Sequence, residues 1–168
     1  MQNDGLQDFK KILIPLDGSR FSESTLRYGV SIADKYNASI VLVSVFSSRG
    51  DPNSQFRKRM IEMNLQLAKD NDKTPSSYMM MYWMENYHGI LKNVICKRKI
   101  NVKSILRDAN TSTKQVVTIL LDVIEKEEID LVIISSHRKS RFKRFKMGSV
   151  TDGLLSGLAI PVICVKGS

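Results

Sequence analysis

Two short motifs near opposite ends of the chain contain residue types that could form one binding site. Gly148-Ser149 follows a loop rich in Arg and Lys and opens a predicted helix. At such a helix start, backbone N–H groups and the positive end of the helix dipole attract phosphate-like groups. Asp17-Gly18-Ser19 directly follows an apolar segment near the N-terminus. Both motifs also have a structural alternative, because Gly, Ser and Asp are common residues at helix N-caps.

The segments around these motifs predict alternating strands and helices. Five segments are predicted strands, and the first two are apolar at consecutive positions, which is typical of parallel strands covered on both faces. The five strands alternate with segments whose apolar residues recur at helical spacing, in the order βαβααβαβαβ. The predicted strands are Lys11–Leu16, Ser39–Phe46, Ile100–Leu106, Asp130–Ser135 and Pro161–Val165. The first predicted helix starts near Ser22. The other predicted helices are Gln55–Ala68, Tyr78–Lys97, Thr113–Glu127 and Ser149–Leu158.

This pattern predicts an α/β fold with a doubly wound, five-stranded parallel sheet and helices on both faces. We expect the strand order 3-2-1-4-5. Ligands of such sheets bind outside the carboxyl ends of the strands, where the strand order reverses. That point lies between strands one and four, so Asp17 and the loop from Ser135 to Ser149 should border one crevice.

The length of 168 residues fits a single domain, residues 1–168, with a flexible N-terminus at 1–9 and an inserted loop and helix at 47–77. Cys96 and Cys164 lie in no pattern typical of a metal site or a disulfide framework. The N-terminus lacks the apolar segment of a signal peptide, and no apolar run has the length of a membrane span. We therefore expect a cytoplasmic protein with no membrane partner.

The chain is strongly basic, because 26 Lys and Arg residues stand against 17 Asp and Glu residues, for a net charge of +9. This charge favours an anionic partner. A basic run, Arg138–Lys146, concentrates part of it. The run could be a solvated loop face, could capture the phosphates of a nucleotide, or could bind a nucleic acid with Phe142 and Phe145 stacking on bases. No recognised nucleic-acid motif accompanies it, so nucleic acid is the least supported partner.

Five ordered blocks of the chain resemble the universal stress protein family over nearly the whole length. They are Lys11–Ser19, Asp130–Ile134, Ser136-His137, Gly148–Thr151 and Pro161–Val165. The resemblance implies binding of an adenine nucleotide, ATP or AMP, with Mg²⁺ accompanying ATP. It implies that the strand-one aspartate contacts the adenine or ribose, that the backbone after strand two contacts the adenine, and that the loop after strand four and the following helix start hold the phosphates. The corresponding positions are Pro15, Leu16, Asp17, Val45, Ser135, Ser136, His137, Arg138, Gly148, Ser149, Val150 and Thr151.

The nucleotide signature of the family is altered in this chain. The signature reads G-x-x-G, nine residues, then G-[ST]; Ser135 and Arg138 occupy its first two glycine positions, and Gly148-Ser149 keeps the final pair. Ser135 adds one small side chain. Arg138 could bind phosphate through its planar guanidinium in place of a backbone cradle, or its side chain could obstruct the approach of phosphate.

These observations predict a small regulatory protein that binds an adenine nucleotide between strands one and four. The alternative is a ligand-free dimeric stress-response interaction protein whose basic loop contacts an anionic macromolecule. A hydrolase ranks third, because His137 has no evident partner carboxylate or nucleophile. Pro161–Val165 is the predicted apolar edge of the sheet, and both this edge and the family resemblance predict a homodimer paired through it.

Overall fold

The computed structural model describes residues 8–47, 77–109, 112–136 and 148–166. Strands and helices alternate along these ranges. The strands are β1 (Lys11–Pro15), β2 (Ser39–Phe46), β3 (Val102–Asp108), β4 (Leu131–Ser136) and β5 (Val162–Lys166), and the helices are α1 (Arg20–Tyr36), α2 (Ser77–Cys96), α3 (Thr113–Lys126) and α4 (Ser149–Gly157). In these ranges, no helix combines the length and apolar character that a membrane span requires.

The five strands form one parallel sheet in the order β3-β2-β1-β4-β5, which confirms the predicted fold. Apolar side chains fill both faces of this sheet. On one face, Ile14 belongs to a buried cluster with Ala33 of α1 and Trp83 of α2. On the other face, Leu13 belongs to a cluster with Leu120 of α3. Neighbouring positions of β1 therefore face opposite layers, which explains why the strand is apolar at consecutive positions.

Asp130 fixes the pairing of β1 with β4. Its carboxylate oxygens Oδ2 and Oδ1 accept the backbone N–H groups of Lys10 at 2.7 Å and of Lys11 at 3.1 Å. Its own N–H group donates to the carbonyl oxygen of Lys11 at 3.1 Å. The two strands then continue in the register Ile12 opposite Leu131. Because the strands are parallel and in register, their carboxyl ends lie at the same edge of the sheet.

Helix α1 and strand β3 begin at positions that differ from the predicted ones because of local turns. Helix α1 begins at Arg20, earlier than predicted, since Ser19 is the N-cap and its Oγ accepts the N–H of Ser22 at 3.1 Å. Strand β3 begins at Val102, later than predicted, since Lys99 adopts a left-handed conformation with φ of 62° in the turn after α2. The predicted helix Gln55–Ala68 and the predicted linker Asp70–Ser77 lie outside the described residues, apart from Ser77, which begins α2.

Gly29 allows α1 to approach the sheet closely. A Cβ atom at Gly29 would overlap Cδ1 of Ile14, which is fully buried and lies beside Ile133. Gly89 provides a contrast in α2, because a Cβ atom there would find no heavy atom of the described chain within 4 Å. The same substitution therefore meets a packed core at one glycine and open space at the other.

We expect Gly29→Ala and Gly89→Ala to change stability in opposite directions. Gly29→Ala overpacks the core and should lower the free energy of unfolding by about 1 kcal/mol after the gain in helix propensity is included. Gly89→Ala should raise the free energy of unfolding by roughly 0.5–1 kcal/mol. Urea titrations followed by circular dichroism measure both changes. Equal effects of the two substitutions would contradict the close packing at Gly29.

Candidate functional site

The carboxyl ends of β1 and β4 adjoin in the middle of the sheet. β1 ends at Pro15 and leads to β2 on one side, whereas β4 ends at Ser136 and leads to β5 on the other side. The strand order therefore reverses between β1 and β4. In open α/β sheets this switch point forms the ligand crevice. The segments that follow the two strands, the Asp17 turn and the start of α4, are the candidate walls of that crevice.

The turn after β1 is held by hydrogen bonds around Asp17. Asp17 Oδ1 accepts the N–H of Ser19 at 2.9 Å, and the N–H of Asp17 donates to Ser22 Oγ at 3.4 Å. Gly18 reverses the chain with φ of 76°, a conformation that favours glycine. Since Ser19 is the N-cap of α1, Asp17 shapes the turn and does not cap the helix. Its side chain is exposed, so the carboxylate can also contact a ligand in the crevice.

The start of α4 is held next to the end of β4. Thr151 is buried, and its Oγ1 donates to the carbonyl oxygen of Ser135 at 3.3 Å. Ser149 is exposed, and its Oγ lies 3.0 Å from Oγ1 of Thr113 at the start of α3. Gly148 is the N-cap and has no side chain with which to cap the first N–H groups of α4. Those N–H groups point along the helix axis, and N–H groups at a helix start are suited to binding an anion.

The other predicted site residues contribute mainly backbone. Leu16 is 2% exposed, so its side chain belongs to the core and only its backbone can face a ligand. Pro15, Val45, Ser136 and Val150 are half-buried. Val45 is the second-last residue of β2, beside β1, which is compatible with its predicted place at the border of the crevice. The predicted site residues outside the described ranges are His137 and Arg138.

Sequence reasoning missed a buried polar pair, Ser44 on β2 and His88 on α2. Ser44 Oγ donates to the carbonyl oxygen of Leu16 at 2.7 Å and lies 2.8 Å from His88 Nε2. A hydroxyl group has one proton, so Nε2 must carry the hydrogen that bonds to Ser44. His88 Nδ1 is buried and has no hydrogen-bond partner among the described residues. Ser44 and His88 each lie within an apolar segment, and this was the one sign in the sequence that they could be buried. Nothing in their spacing shows that they contact each other.

Burial keeps the His88 ring neutral. It lowers the pKa of His88 from the ordinary value of 6.5 to about 4, because the low-dielectric core disfavours the charged imidazolium. At neutral pH, Nε2 is therefore the protonated nitrogen of a neutral ring and Nδ1 is the acceptor. The ring serves as a hydrogen-bond donor to Ser44 and not as a cation.

The described part of the crevice carries groups suited to binding. The Asp17 carboxylate can accept hydrogen bonds from hydroxyl or amino groups, and the start of α4 can donate hydrogen bonds to an anion. No three His, Cys, Asp or Glu side chains of the described ranges cluster as a metal site would require. The candidate walls thus offer a carboxylate acceptor after β1 and N–H donors at the start of α4.

Comparison with known proteins assigns the chain to a family. The sequence model of the universal stress protein family matches residues 8–166, and the chain belongs to this family. Universal stress protein MJ0577 of Methanocaldococcus jannaschii is 26% identical over 168 residues, with 94% of this chain and 95% of that protein covered. The solved structure of MJ0577 matches with a TM-score of 0.65 at 23% identity, covering 96% of this chain and 99% of that chain.

Two other solved structures with this fold contain adenine nucleotides. The universal stress protein from Archaeoglobus fulgidus in complex with dAMP matches with a TM-score of 0.54 at 17% identity, covering 95% of this chain and 100% of its own. A universal stress protein in complex with cAMP matches with a TM-score of 0.58 at 12% identity, covering 96% of this chain and 100% of its own. At these identities, the likeness shows a shared fold.

We expect acid to destabilise the protein through His88. The unfolded chain binds a proton near the ordinary histidine pKa of 6.5, whereas the folded protein resists protonation until about pH 4. The contribution of neutral His88 to stability is therefore full above about pH 6.5 and is lost progressively as the pH falls toward about 4. Between about pH 7 and about pH 5, the loss should be about 2 kcal/mol.

The control for this prediction is His88→Gln, which cannot titrate. Urea titrations at both pH values measure the free energy of unfolding of the wild type and the variant. The wild type should lose about 2 kcal/mol more than the variant, since all other titrating groups are shared. If both proteins lose the same stability, the folded state does not disfavour protonation of His88.

Proposed function

We propose that this protein is a regulator that binds an adenine nucleotide, ATP or AMP, in the crevice between the ends of β1 and β4. One observation carries the proposal: the Asp17 turn and the start of α4 follow adjacent strand ends at the switch point of the sheet. The bond from Thr151 to Ser135 at 3.3 Å supports it by keeping α4 at that edge. Family membership and the dAMP and cAMP complexes of two relatives support the class of ligand.

In this proposal each wall of the crevice binds one part of the nucleotide. The Asp17 carboxylate contacts the adenine or the ribose, beside the backbone of Pro15, Leu16 and Val45. The phosphates lie at the start of α4, where the N–H groups of Gly148–Thr151 meet the positive end of the helix dipole. In this proposal the last residues of β4, Ser135 and Ser136, and the His137 and Arg138 that follow them complete the phosphate side. ATP would bring Mg²⁺, which its phosphates would hold.

Asp17→Asn should weaken the binding of AMP roughly tenfold. An amide keeps the oxygen that accepts the Ser19 N–H but loses the stronger hydrogen bonds of a carboxylate. Asp34→Asn is the matched control, because it removes the same charge from an exposed position of α1 and should leave the affinity unchanged. Isothermal titration calorimetry with AMP, ADP and ATP, with and without Mg²⁺, measures the affinities. The absence of binding of all three to the wild type at about 1 mM, about −4 kcal/mol, would contradict the proposal.

The same titrations with Arg138→Gly determine what the altered signature does. If the guanidinium group has replaced a glycine cradle, the substitution weakens binding; if the side chain obstructs the phosphate, the substitution tightens it. The alternative function is a ligand-free dimeric interaction protein whose basic loop contacts an anionic macromolecule. The replacement of signature glycines by Ser135 and Arg138 favours it, and a failure of both the wild type and Arg138→Gly to bind nucleotide would select it.

The two edges of the sheet differ in a way that favours association through β5. Lys103 and Arg107 are exposed on the β3 edge, and charges on an edge strand oppose pairing with another strand. On β5, Ile163 is 36% exposed, and the charged Lys166 comes only at the end of the strand. We propose a homodimer in which two copies of Pro161–Val165 pair about a two-fold axis.

Ile163→Lys should convert this dimer to a monomer, because it places a charge on an apolar paired edge. Val94→Lys is the control, since Val94 is 63% exposed on α2, which packs against β3 at the opposite side of the sheet. Val165 is unsuitable as a probe, because it is 7% exposed and belongs to the core. Sedimentation velocity at micromolar concentration measures the mass. A monomeric wild type, or a dimer that persists in Ile163→Lys, would refute pairing through β5.

A further inference from the structure

The Ser44–His88 pair lies in an otherwise apolar layer of the core. Ser44 is 1% exposed and His88 is 2% exposed, while neighbouring Phe46, Trp83 and Met84 are buried members of the apolar cluster between the sheet and helices α1 and α2. Burying polar groups costs free energy unless they are hydrogen-bonded. Apolar residues of similar shape could fill the same space at little cost. Packing alone therefore does not explain why the core contains this polar pair. The backbone group to which Ser44 is hydrogen-bonded indicates what the pair does.

That group is the backbone of Leu16, the residue that links β1 to the Asp17 turn. Leu16 donates its N–H to the carbonyl oxygen of Val43 at 2.7 Å. Its carbonyl oxygen accepts the Ser44 hydroxyl at 2.7 Å. β1 itself ends one residue earlier, at Pro15. A side chain thus holds the backbone just beyond the strand.

The position of this carbonyl oxygen controls the direction of Asp17. The carbonyl group of Leu16 and the N–H group of Asp17 belong to one planar peptide unit, so fixing the oxygen fixes the plane from which Asp17 extends. The Leu16 side chain is already held in the core. The remaining freedom is rotation of the peptide plane. Two hydrogen bonds restrain that rotation, a short one of 2.7 Å from the Ser44 hydroxyl to the Leu16 oxygen and a longer one of 3.4 Å from the Asp17 N–H to Ser22 Oγ.

His88 determines which way the Ser44 hydroxyl points. A serine hydroxyl can rotate and can donate its single proton to any nearby acceptor. Because the N–H at His88 Nε2 occupies one lone pair of Ser44 Oγ at 2.8 Å, the hydroxyl proton is directed to Leu16. The neutral state of the ring leaves Nε2 as its only donor, which makes this orientation stable at neutral pH.

We infer that Ser44 and His88 are positioning residues that connect α2, through β2, to the Asp17 turn and set the geometry of its carboxylate for ligand binding. This inference rests on the proposed function where nucleotide affinity is its readout. His88 and Ser44 touch no ligand in this account. They act through the Leu16 carbonyl, and Asp17 makes the contact.

Four variants test the inference. Ser44→Ala removes the hydroxyl, and His88→Leu removes the donor that orients it. His88→Gln keeps an N–H group near the position of Nε2 and should rescue the function. Ile95→Ala is the control for general destabilisation, because Ile95 is a fully buried residue of the same helix about two turns further along. AMP affinity, measured by calorimetry below the unfolding transition, should fall roughly tenfold in the first two variants and stay within about twofold in the last two.

A second readout needs no nucleotide. Backbone NMR shifts and hydrogen-exchange rates of the Asp17, Gly18 and Ser19 amides report the turn itself. We expect these amides to shift, and to exchange roughly tenfold faster, in Ser44→Ala and His88→Leu. In His88→Gln they should resemble the wild type, and in Ile95→Ala any change should be shared with amides across the sheet.

The two readouts separate failure of this inference from failure of the proposed function. If the wild type binds no nucleotide but the turn amides respond as expected, nucleotide binding fails and the positioning role stands. Unchanged turn amides in Ser44→Ala would overturn the positioning role, whether or not His88→Leu folds. A His88→Gln variant that behaves like His88→Leu would overturn the role of the donor. Altered turn amides with unaltered AMP affinity would overturn the connection to the binding site.

Discussion

The hydrogen bonds of Asp130 set the geometry on which the candidate site depends. Its carboxylate accepts consecutive N–H groups of Lys10 and Lys11, although Asp130 and Lys10 are 120 positions apart in the sequence. A slip of one residue between parallel strands would shift the strand ends by about 3.3 Å and turn side chains to the opposite face. The Asp17 turn and the start of α4 would then no longer border the same crevice. A contact at the amino end of the sheet thus determines the site at its carboxyl end.

At the carboxyl end, two side-chain hydrogen bonds add to the backbone pairing of the strands. Thr151 bonds to the carbonyl oxygen of Ser135, and Ser44 bonds to the carbonyl oxygen of Leu16. Both hydroxyl groups are buried, and both hold the backbone at or just beyond the end of a central strand. A binding site requires such support, because the groups that contact a ligand must keep their geometry before the ligand arrives. The exposed residues Asp17 and Ser149 therefore lie close to backbone that buried hydroxyl groups hold in place.

Features with a local cause could be predicted from the sequence, and features that depend on distant contacts could not. Strand β2 was predicted over its observed bounds, Ser39–Phe46, because an apolar run between polar residues defines a buried strand. The start of α1 was misplaced because the cap is Ser19, and Ser, Gly and Asp compete for that role in one short motif. The Ser44–His88 pair was missed because its members are 44 positions apart, and periodicity shows which face a residue occupies but not which partner it meets.

For the candidate site, the sequence predicted the location but not the hydrogen bonds within it. Motif and topology together located Asp17 and Gly148–Thr151 at one edge of the sheet, and the described fold agrees with that location. The sequence could not show which residue of the turn caps α1 and which one shapes the turn. These roles depend on the hydrogen bonds that Ser19 and Ser22 make once α1 packs on the sheet. The sequence left open whether Asp17 caps α1. The structure assigns the cap to Ser19 and leaves the exposed carboxylate available for a ligand.

The most direct test of the central claim is a titration of isotope-labelled protein with AMP, followed by the backbone amide shifts of every assigned residue. Nucleotide binding in the crevice predicts that the shifts concentrate in Asp17–Ser19 and Ser149–Thr151, at the two walls described above. Amides of β5 and of the exposed face of α1 should stay unchanged. Shifts that concentrate away from both walls, or no shifts with AMP in large excess, would contradict the account.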